Sequence, residues 1–332
     1  MSLLAPTLQA FFSDRLMAQR GASSHTIAAY RDAFRLLLRY AADWKHKQPY
    51  QLDIADLDAP LVGAFLNHLE YERHNGIRTR NNRLAAIHAL FGYAALRHPE
   101  HAASIQRVLA IPPKRFERDL VTFLTEQEVD ALLAACDRTT WTGRRDHALL
   151  VLAVQTGLRI SELAGLTRAD VALGTGAHVH CVGKGRKERR TPLVRQTVQV
   201  LHVWLAERKG SAHEPLFPTN TGGHLSRDAI EHRITHYVAK AIEKCPSMRT
   251  KQVTAHTLRH TAAMRLLLSG VDVTVIALWL GHEQVSTTTI YLHADMQQKS
   301  EWKGRRTQYR RLRKRTKLVG VELHTWRSTQ WK

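Results

Sequence analysis

The chain has 332 residues, with 49 Lys and Arg against 29 Asp and Glu, a formal charge of +20 and a pI near 10.4. At 44% hydrophobic and 23% charged residues it can bury cores for about two domains of roughly 100 to 200 residues each, which excludes wholesale disorder. The longest apolar run, Ala148 to Val154, falls short of the roughly 18 residues of a membrane span, no signal pattern opens the chain, and Cys136, Cys181 and Cys245 form no CxxC. A soluble, cytoplasmic protein with neither a membrane partner nor a disulfide framework is expected.

Four helical patterns fill the first hundred residues. Leu8, Phe11, Phe12 and Leu16 share one face, and Ile27, Tyr30, Phe34, Leu37 and Leu38 another, with Gly21 as a stop and Ser24 as N-cap. Asp58 can cap a helix bearing Leu61, Phe65, Leu66 and Leu69 and closed by Gly76, and Thr79 can cap one bearing Leu84, Ile87, Leu90 and Phe91. Residues 1–100 thus read as a small all-helical domain. The stretch from Pro99 to Thr122, with Pro112-Pro113 and a run of charges, reads as an extended connector, so a linker is placed at 101–122.

The second domain, expected over 123–302, opens with a capping-box pattern at Thr125-Glu126-Gln127-Glu128. Arg145 to Thr156 reads as an apolar helix ended by Gly157. His178 to Val182 and Arg190 to Val194 read as strands around the turn Gly183-Lys184-Gly185. Helical patterns follow over 195–208, 227–243, 257–269 and 273–280, with Gly210, Gly270 and Gly281 as stops. The fold class is mainly α with one small antiparallel β-sheet. From about residue 303 the apolar stripe disappears and the tail, 303–332, reads as disordered or folding on a partner.

Charge is unevenly spread. Residues 301–332 hold 11 Lys and Arg against 2 Asp and Glu, so +9 of the total lies there and +11 in the rest. An excess of that size favours a polyanion, because each phosphate neutralised by Lys or Arg releases condensed counterions. Within the second domain, polar residues stand at the breaks between apolar helices: Arg159 in TGLRISEL, Lys184 in VGKGRKER, His256 and Arg259 in HTLRH, His282 in LGH and Tyr291 in TTTIYLHAD. Singly, each reads as a solvated cation or a packing side chain.

In this order and with these flanks, the motifs resemble the tyrosine recombinase (phage integrase) family, with a likeness to its Xer-like bacterial branch. The likeness spans residues 5 to 300 or so. It implies an N-terminal helical core-binding (SAM-like) domain and a mostly helical catalytic domain of the DNA breaking-rejoining enzyme fold. Carried onto this sequence, the family's catalytic set is Arg159, Lys184, His256, Arg259, His282 and the nucleophile Tyr291, with Glu162 supporting the site from behind. The expected chemistry is attack by Tyr291 on a phosphodiester, giving a 3′-phosphotyrosyl link and a free 5′-hydroxyl without ATP, metal or other cofactor. A phenol of pKa near 10 needs a proton acceptor, and His256 is the candidate. Arg159 and Arg259 would offer guanidinium forks to the charged phosphate oxygens, Lys184 would protonate the leaving oxygen, and His282 would hydrogen-bond the phosphate.

His256 and His260 have the four-residue spacing of a zinc pair, but HTLRH lacks the Glu of HExxH and puts Arg259 where a metal would be repelled, so His260 is expected behind the site. DNA contacts are expected from Arg78, Arg80 and Arg83 on an N-terminal helix, from Arg186, Lys187 and Arg189 in the hairpin, and from Arg227 after His224-Leu225-Ser226. The implied partners are double-stranded DNA with short inverted-repeat sites and a homotetramer on it, together with a second recombinase in some systems. The implied biology is integration, excision or resolution of a mobile element. Where relatives carry an apolar helix that docks into a neighbouring protomer, this chain has its basic tail, either an arm for flanking DNA or the product of a changed reading frame. A protein of the same fold that binds DNA without recombining it, and one that cleaves and religates in the manner of type IB topoisomerases, are the alternatives.

Overall fold

The computed structural model describes residues 4–116, 121–183, 188–207 and 210–292, so Lys184, Arg186, Lys187 and the basic tail lie outside the described residues. Two compact units make up the chain, Met1–Arg118 and Asp119–Lys332.

The N-terminal unit is helical. Helix α1 (Leu4–Ala10) continues into wider, π-wound turns over Phe11–Gln19, and α2 (Ser24–Lys45), α3 (Ala59–Tyr71), α4 (Ile77–Ala94) and α5 (Ala102–Leu109) follow. Phe11, Phe34, Leu37, Phe65, Leu69, Ile87 and Phe91 are buried together, with Phe11 and Phe34 edge to face at 6.0 Å. The caps differ from expectation by small shifts. Ser23, not Ser24, accepts from the Thr26 amide. Gly76 is the N-cap of α4 rather than the stop of α3, because α3 already ends at Tyr71 and Thr79 lies inside the first turn of α4. The stretch expected as an extended connector contains α5, whose Ile105 and Val108 are fully buried against the unit's core. Burying two such side chains stabilises by about 1.5 to 3 kcal/mol each, which outweighs the loop bias of the prolines that follow.

The C-terminal unit opens with α6 (Glu126–Ala134), whose capping box joins the Thr125 hydroxyl to the Glu128 amide and the Glu128 carboxylate to the Thr125 amide. Then come α7 (Trp141–Thr156), the short α8 (Ile160–Gly165), α9 (Arg195–Glu207), α10 (Arg227–Lys244), α11 (Ala255–Leu268) and α12 (Val273–Leu280). Between α8 and α9 lies an antiparallel sheet in the order β1 (Val171–Ala172), β2 (His178–Val182), β3 (Glu188–Pro192). Strand β3 starts two residues before its expected position. Its register pairs Cys181 with Arg189 and Val179 with Thr191, so Arg189 and Thr191 face inward and Arg190 outward.

The main core gathers Leu149, Leu152, Leu201, Ile230, Ile234 and Leu258, and a smaller cluster gathers Ala263, Met264, Ile276, Leu280 and Tyr291. Gly157 ends α7 in the left-handed region at φ +63°, and Gly281 ends α12 at φ +67°. A Cβ on Gly157 would sit 2.7 Å from Leu280 Cδ2 and 3.0 Å from Ala262 Cβ, so α7, α11 and α12 approach through that glycine. Among the described residues no helix is long and apolar enough to cross a membrane.

Candidate active site

The ends of α7 and α12 supply the carbonyls on which two arginines are hung. Arg259, on α11 and 3% exposed, donates through Nη1 to Gly157 O and through Nη2 to Leu280 O, both at 2.7 Å. Arg159, the residue before α8, donates through Nη2 to the next carbonyl, Gly281 O, at 2.7 Å and through Nη1 to Glu162 Oε1 at 2.9 Å. Each guanidinium has five N–H donors and spends two on these bonds, which leaves three without a protein acceptor among the described residues. Burial, and then the neighbouring Arg159, pull the Arg259 pKa down to about 10, so it keeps its charge at neutral pH.

Glu162 anchors the other side. It is 8% exposed, accepts the Arg159 amide at 2.8 Å as a local cap, and takes a two-pronged bond from Arg189, Nη1 to Oε1 at 2.9 Å and Nη2 to Oε2 at 2.7 Å. Burial alone would raise its pKa. The bonds from Arg189 and Arg159 outweigh that and hold it below the usual carboxylate range.

Tyr291 lies in a helical segment at 289–292 and is 1% exposed, its ring in the small apolar cluster. Its hydroxyl is 2.8 Å from His260 Nδ1. Burial pushes the phenol up to about 12, with Arg259 opposing, so it is protonated and can donate to Nδ1. The His260 pKa is brought down to about 4 by burial and then by His256, Arg259 and His282. His256, one turn earlier, is exposed and sets its ring edge to face with that of His260, centroids 4.4 Å apart. Partial desolvation of the ring, followed by Arg259 and Arg159, also lowers its pKa. His282 pairs through Nδ1 with Thr288 Oγ1 at 2.7 Å and is likewise lowered to about 4, by burial first and the two arginines next. Near neutrality this is a site of neutral imidazoles, one protonated phenol and permanently charged guanidiniums.

The structure therefore brings together Arg159, Glu162, Arg259 and Tyr291, with His256 and His282 bordering them, while Lys184 lies outside the described residues. Two participants escaped the sequence reading in whole or in part. His260, expected behind the site, bonds the Tyr291 hydroxyl. Arg189, expected among the phosphate-gripping cations of the hairpin, is committed to Glu162 instead, because strand alternation turns it inward. The signal was available in the alternation of Arg189 and Thr191 against Arg190.

The cations expected to grip DNA fall into two groups. Arg78 is exposed, its guanidinium carbon 5.3 Å from the Phe116 ring centroid, and Arg227 is exposed in the first turn of α10. Arg80 corrects the expectation: it is 6% exposed, held by Asn81 Oδ1 at 3.2 Å and facing Glu70 at 3.6 Å, because its place on α4 turns it into the unit. Arg83 is half-buried, and burial followed by Arg73 lowers its pKa. Arg186 and Lys187 lie outside the described residues.

Residues 122–298 match the model of the phage integrase family, and residues 9–98 match that of the phage integrase N-terminal SAM-like domain. A putative integrase/recombinase of Sinorhizobium fredii, y4rC, is 55% identical over 296 residues, 89% of each chain. The tyrosine recombinase XerD of Vibrio cholerae is 32% identical over 288 residues, 85% of this chain and 90% of that one. The site-specific recombinase XerH bound to palindromic difH substrate overlays with a TM-score of 0.66 at 22% identity, over 85% of this chain and 80% of that one. A lambda integrase dimer bound to a COC′ core site overlays with a TM-score of 0.63 at 17% identity, over 87% and 77% of the two chains. At these identities the structural likeness speaks for the fold.

Proposed function

We propose, from the premise that this chain belongs to the phage integrase family and is a site-specific tyrosine recombinase, that Tyr291 cuts and rejoins DNA through a 3′-phosphotyrosyl link. The observation that carries the reading is the convergence of Arg159, Arg259, His260 and Tyr291. Two guanidiniums hang on the consecutive carbonyls of Leu280 and Gly281, and the phenol is bonded to the residue after Arg259.

The phenolic oxygen attacks phosphorus, the bond to the 5′-oxygen breaks, and that oxygen leaves as a hydroxyl. Energy is conserved in the phosphotyrosyl ester, so a 5′-hydroxyl can reverse the step. Negative charge that grows on the non-bridging oxygens meets the unused N–H donors of Arg159 and Arg259, which are fixed beforehand and need no reorganisation. A neutral His282 whose Nδ1 accepts from Thr288 carries its proton on Nε2 and can donate it to the phosphate. The Tyr291 proton has its nearest acceptor in His260 rather than His256, with His256 edge to face with His260 as the next imidazole. Lys184 is assigned the leaving-group proton on the family likeness alone. With Tyr291 at 1% exposure, the segment 289–292 has to move away from α11 before its hydroxyl meets a phosphate.

We assign the protein to the cytoplasm, to short inverted-repeat DNA sites bound as a homotetramer, and to the integration, excision or resolution of a mobile element, in keeping with relatives named as integrases and recombinases. The test uses a labelled duplex carrying inverted repeats from the DNA flanking the coding region, nicked so that the cleaved fragment diffuses away. A protein-linked band on a denaturing gel is expected and is expected to vanish in Tyr291→Phe. A band that persists in Tyr291→Phe overturns Tyr291 as nucleophile.

A further inference from the structure

Arg189 carries no part of the chemistry above, yet it touches more of the site's framework than a hairpin cation needs to. We propose that Arg189 is a positioning residue: by occupying both oxygens of Glu162 it fixes the orientation of Arg159, and it ties the base of the β2–β3 hairpin to the Gly281–His282 segment.

Three observations lead there. Glu162 has a nearly buried carboxylate, 4% exposed at its side chain, whose Oε1 is shared between Arg189 and Arg159 at 2.9 Å each, while Oε2 goes to Arg189 at 2.7 Å. Without Arg189, Arg159 would be the one remaining cation on that carboxylate among the described residues. A lone guanidinium and carboxylate settle into a two-pronged pair, and Arg159 would turn its fork inward and give up donors now free for phosphate. Held as it is, Arg159 gives Glu162 one N–H and Gly281 O another.

The Arg189 stem also lies against Gly281. A Cβ there would stand 2.9 Å from Nη1 and 3.3 Å from Cδ, so Gly281, the residue before His282 and the one whose carbonyl holds Arg159, packs against this side chain. Strand register supplies the third observation: Arg189 faces inward beside the buried Thr191, opposite Cys181, and the exposed Arg190 does not share its face. One side chain thus joins strand β3, the Arg159 cap and the His282 segment. The inference rests on the reading that Arg159 holds the scissile phosphate.

The full chain and the nicked duplex provide the test. The wild-type adduct, lost in Tyr291→Phe, tests the functional reading, and the Arg189 variants test this one. Arg189→Gln is expected to slow adduct formation at saturating DNA by about 10²-fold, the cost of a misplaced catalytic group. The dissociation constant and the log-log salt slope of binding are expected to stay as in the wild type. Arg189→Lys is expected to recover little, since an ammonium cannot span both carboxylate oxygens. Should Arg189→Gln unfold because it strands the Glu162 charge, the neutral pair Arg189→Gln/Glu162→Gln removes that charge and is expected to cleave as slowly. A wild-type rate at saturating DNA with a salt slope shallower by about 0.9 would make Arg189 a phosphate contact and overturn the proposal. Full rate in Arg189→Lys, or in the neutral pair, overturns it as well.

Discussion

Arginines cluster in both units, and the two clusters are built on opposite terms. On α4 of the N-terminal unit, Arg78 is exposed beside Phe116 and is free to follow a phosphate backbone, and its neighbour Arg80 is spent on Asn81 and Glu70. In the C-terminal unit Arg159, Arg189 and Arg259 are each pinned by two short bonds to carbonyls or a carboxylate. A cation that only supplies charge gains little from a fixed geometry, because solvent screens it and counterion release does not depend on orientation. One that must meet charge developing on a single phosphate gains its effect from being placed in advance. The charge of +20 points to a polyanion; exposed cations such as Arg78 would hold it, whereas among the anchored ones Arg159 and Arg259 would react and Arg80 and Arg189 brace the framework.

The largest effect that separates the clusters is expected at Arg259. If Arg259 meets the scissile phosphate as proposed, Arg259→Gln removes donors for it and should slow adduct formation by about 10² to 10³ at saturating DNA, measured in single turnover. A loss confined to affinity would place Arg259 with the α4 cations. Next comes Gly157→Ala, which touches no ligand. It forces a left-handed φ of +63° on a residue with a Cβ and drives that atom to 2.7 Å from Leu280 Cδ2. A loss of about 2 kcal/mol of unfolding free energy is expected in denaturant, and adduct formation should fall too, because Gly157 O holds Arg259. Unchanged stability would show that the α7–α11–α12 junction yields without strain.

Acid should weaken the C-terminal unit. His260 and His282 have folded values of about 4 against an ordinary 6.5, so between those limits the unfolded chain binds more protons than the folded one. Their contribution to stability is present above about pH 6.5 and is lost as pH falls towards 4. The depressed Glu162 adds a loss of the same sign below its ordinary value of 4.5. The melting temperature of the full chain should therefore fall as pH is lowered through that window, and less steeply in His282→Gln. A melting temperature that is flat from pH 7 to 4 contradicts the neutral, buried imidazoles.

Much of this was legible in the sequence because strong local signals coincide with tertiary ones. The Thr125–Glu128 capping box, the Gly157 and Gly281 stops and the apolar stripes of α7, α10 and α11 need no knowledge of neighbours. The motif residues Arg159, Arg259, His282 and Tyr291 were legible as residues but not as a geometry. What stayed hidden depends on partners remote in the chain. Helix α5 is eight residues long and is held by burial of Ile105 and Val108, and α8 has six residues. Arg80 and Arg189 look like surface cations until Glu70 and Glu162 are seen opposite them. The His260 bond to Tyr291 crosses 31 residues of chain and had no local trace beyond the repeated histidine of HTLRH.

The smallest expected effect is also the cleanest contrast within one helix. Arg78 and Arg80 are two residues apart on α4, which places them on different faces. If exposure decides which of them meets phosphate, Arg78→Ala should weaken DNA binding modestly and reduce the log-log salt slope by about 0.9, with adduct formation at saturating DNA unchanged. Arg80→Ala should leave that slope alone and lower the melting temperature modestly, because a nearly buried side chain and its contacts with Asn81 and Glu70 are lost while Lys114 still holds both partners. Salt titrations of the two variants beside the wild type decide it. Equal slope changes would mean that α4 rearranges on DNA and frees Arg80, and the division between holding and reacting cations would then lie in the bound state rather than in the free chain.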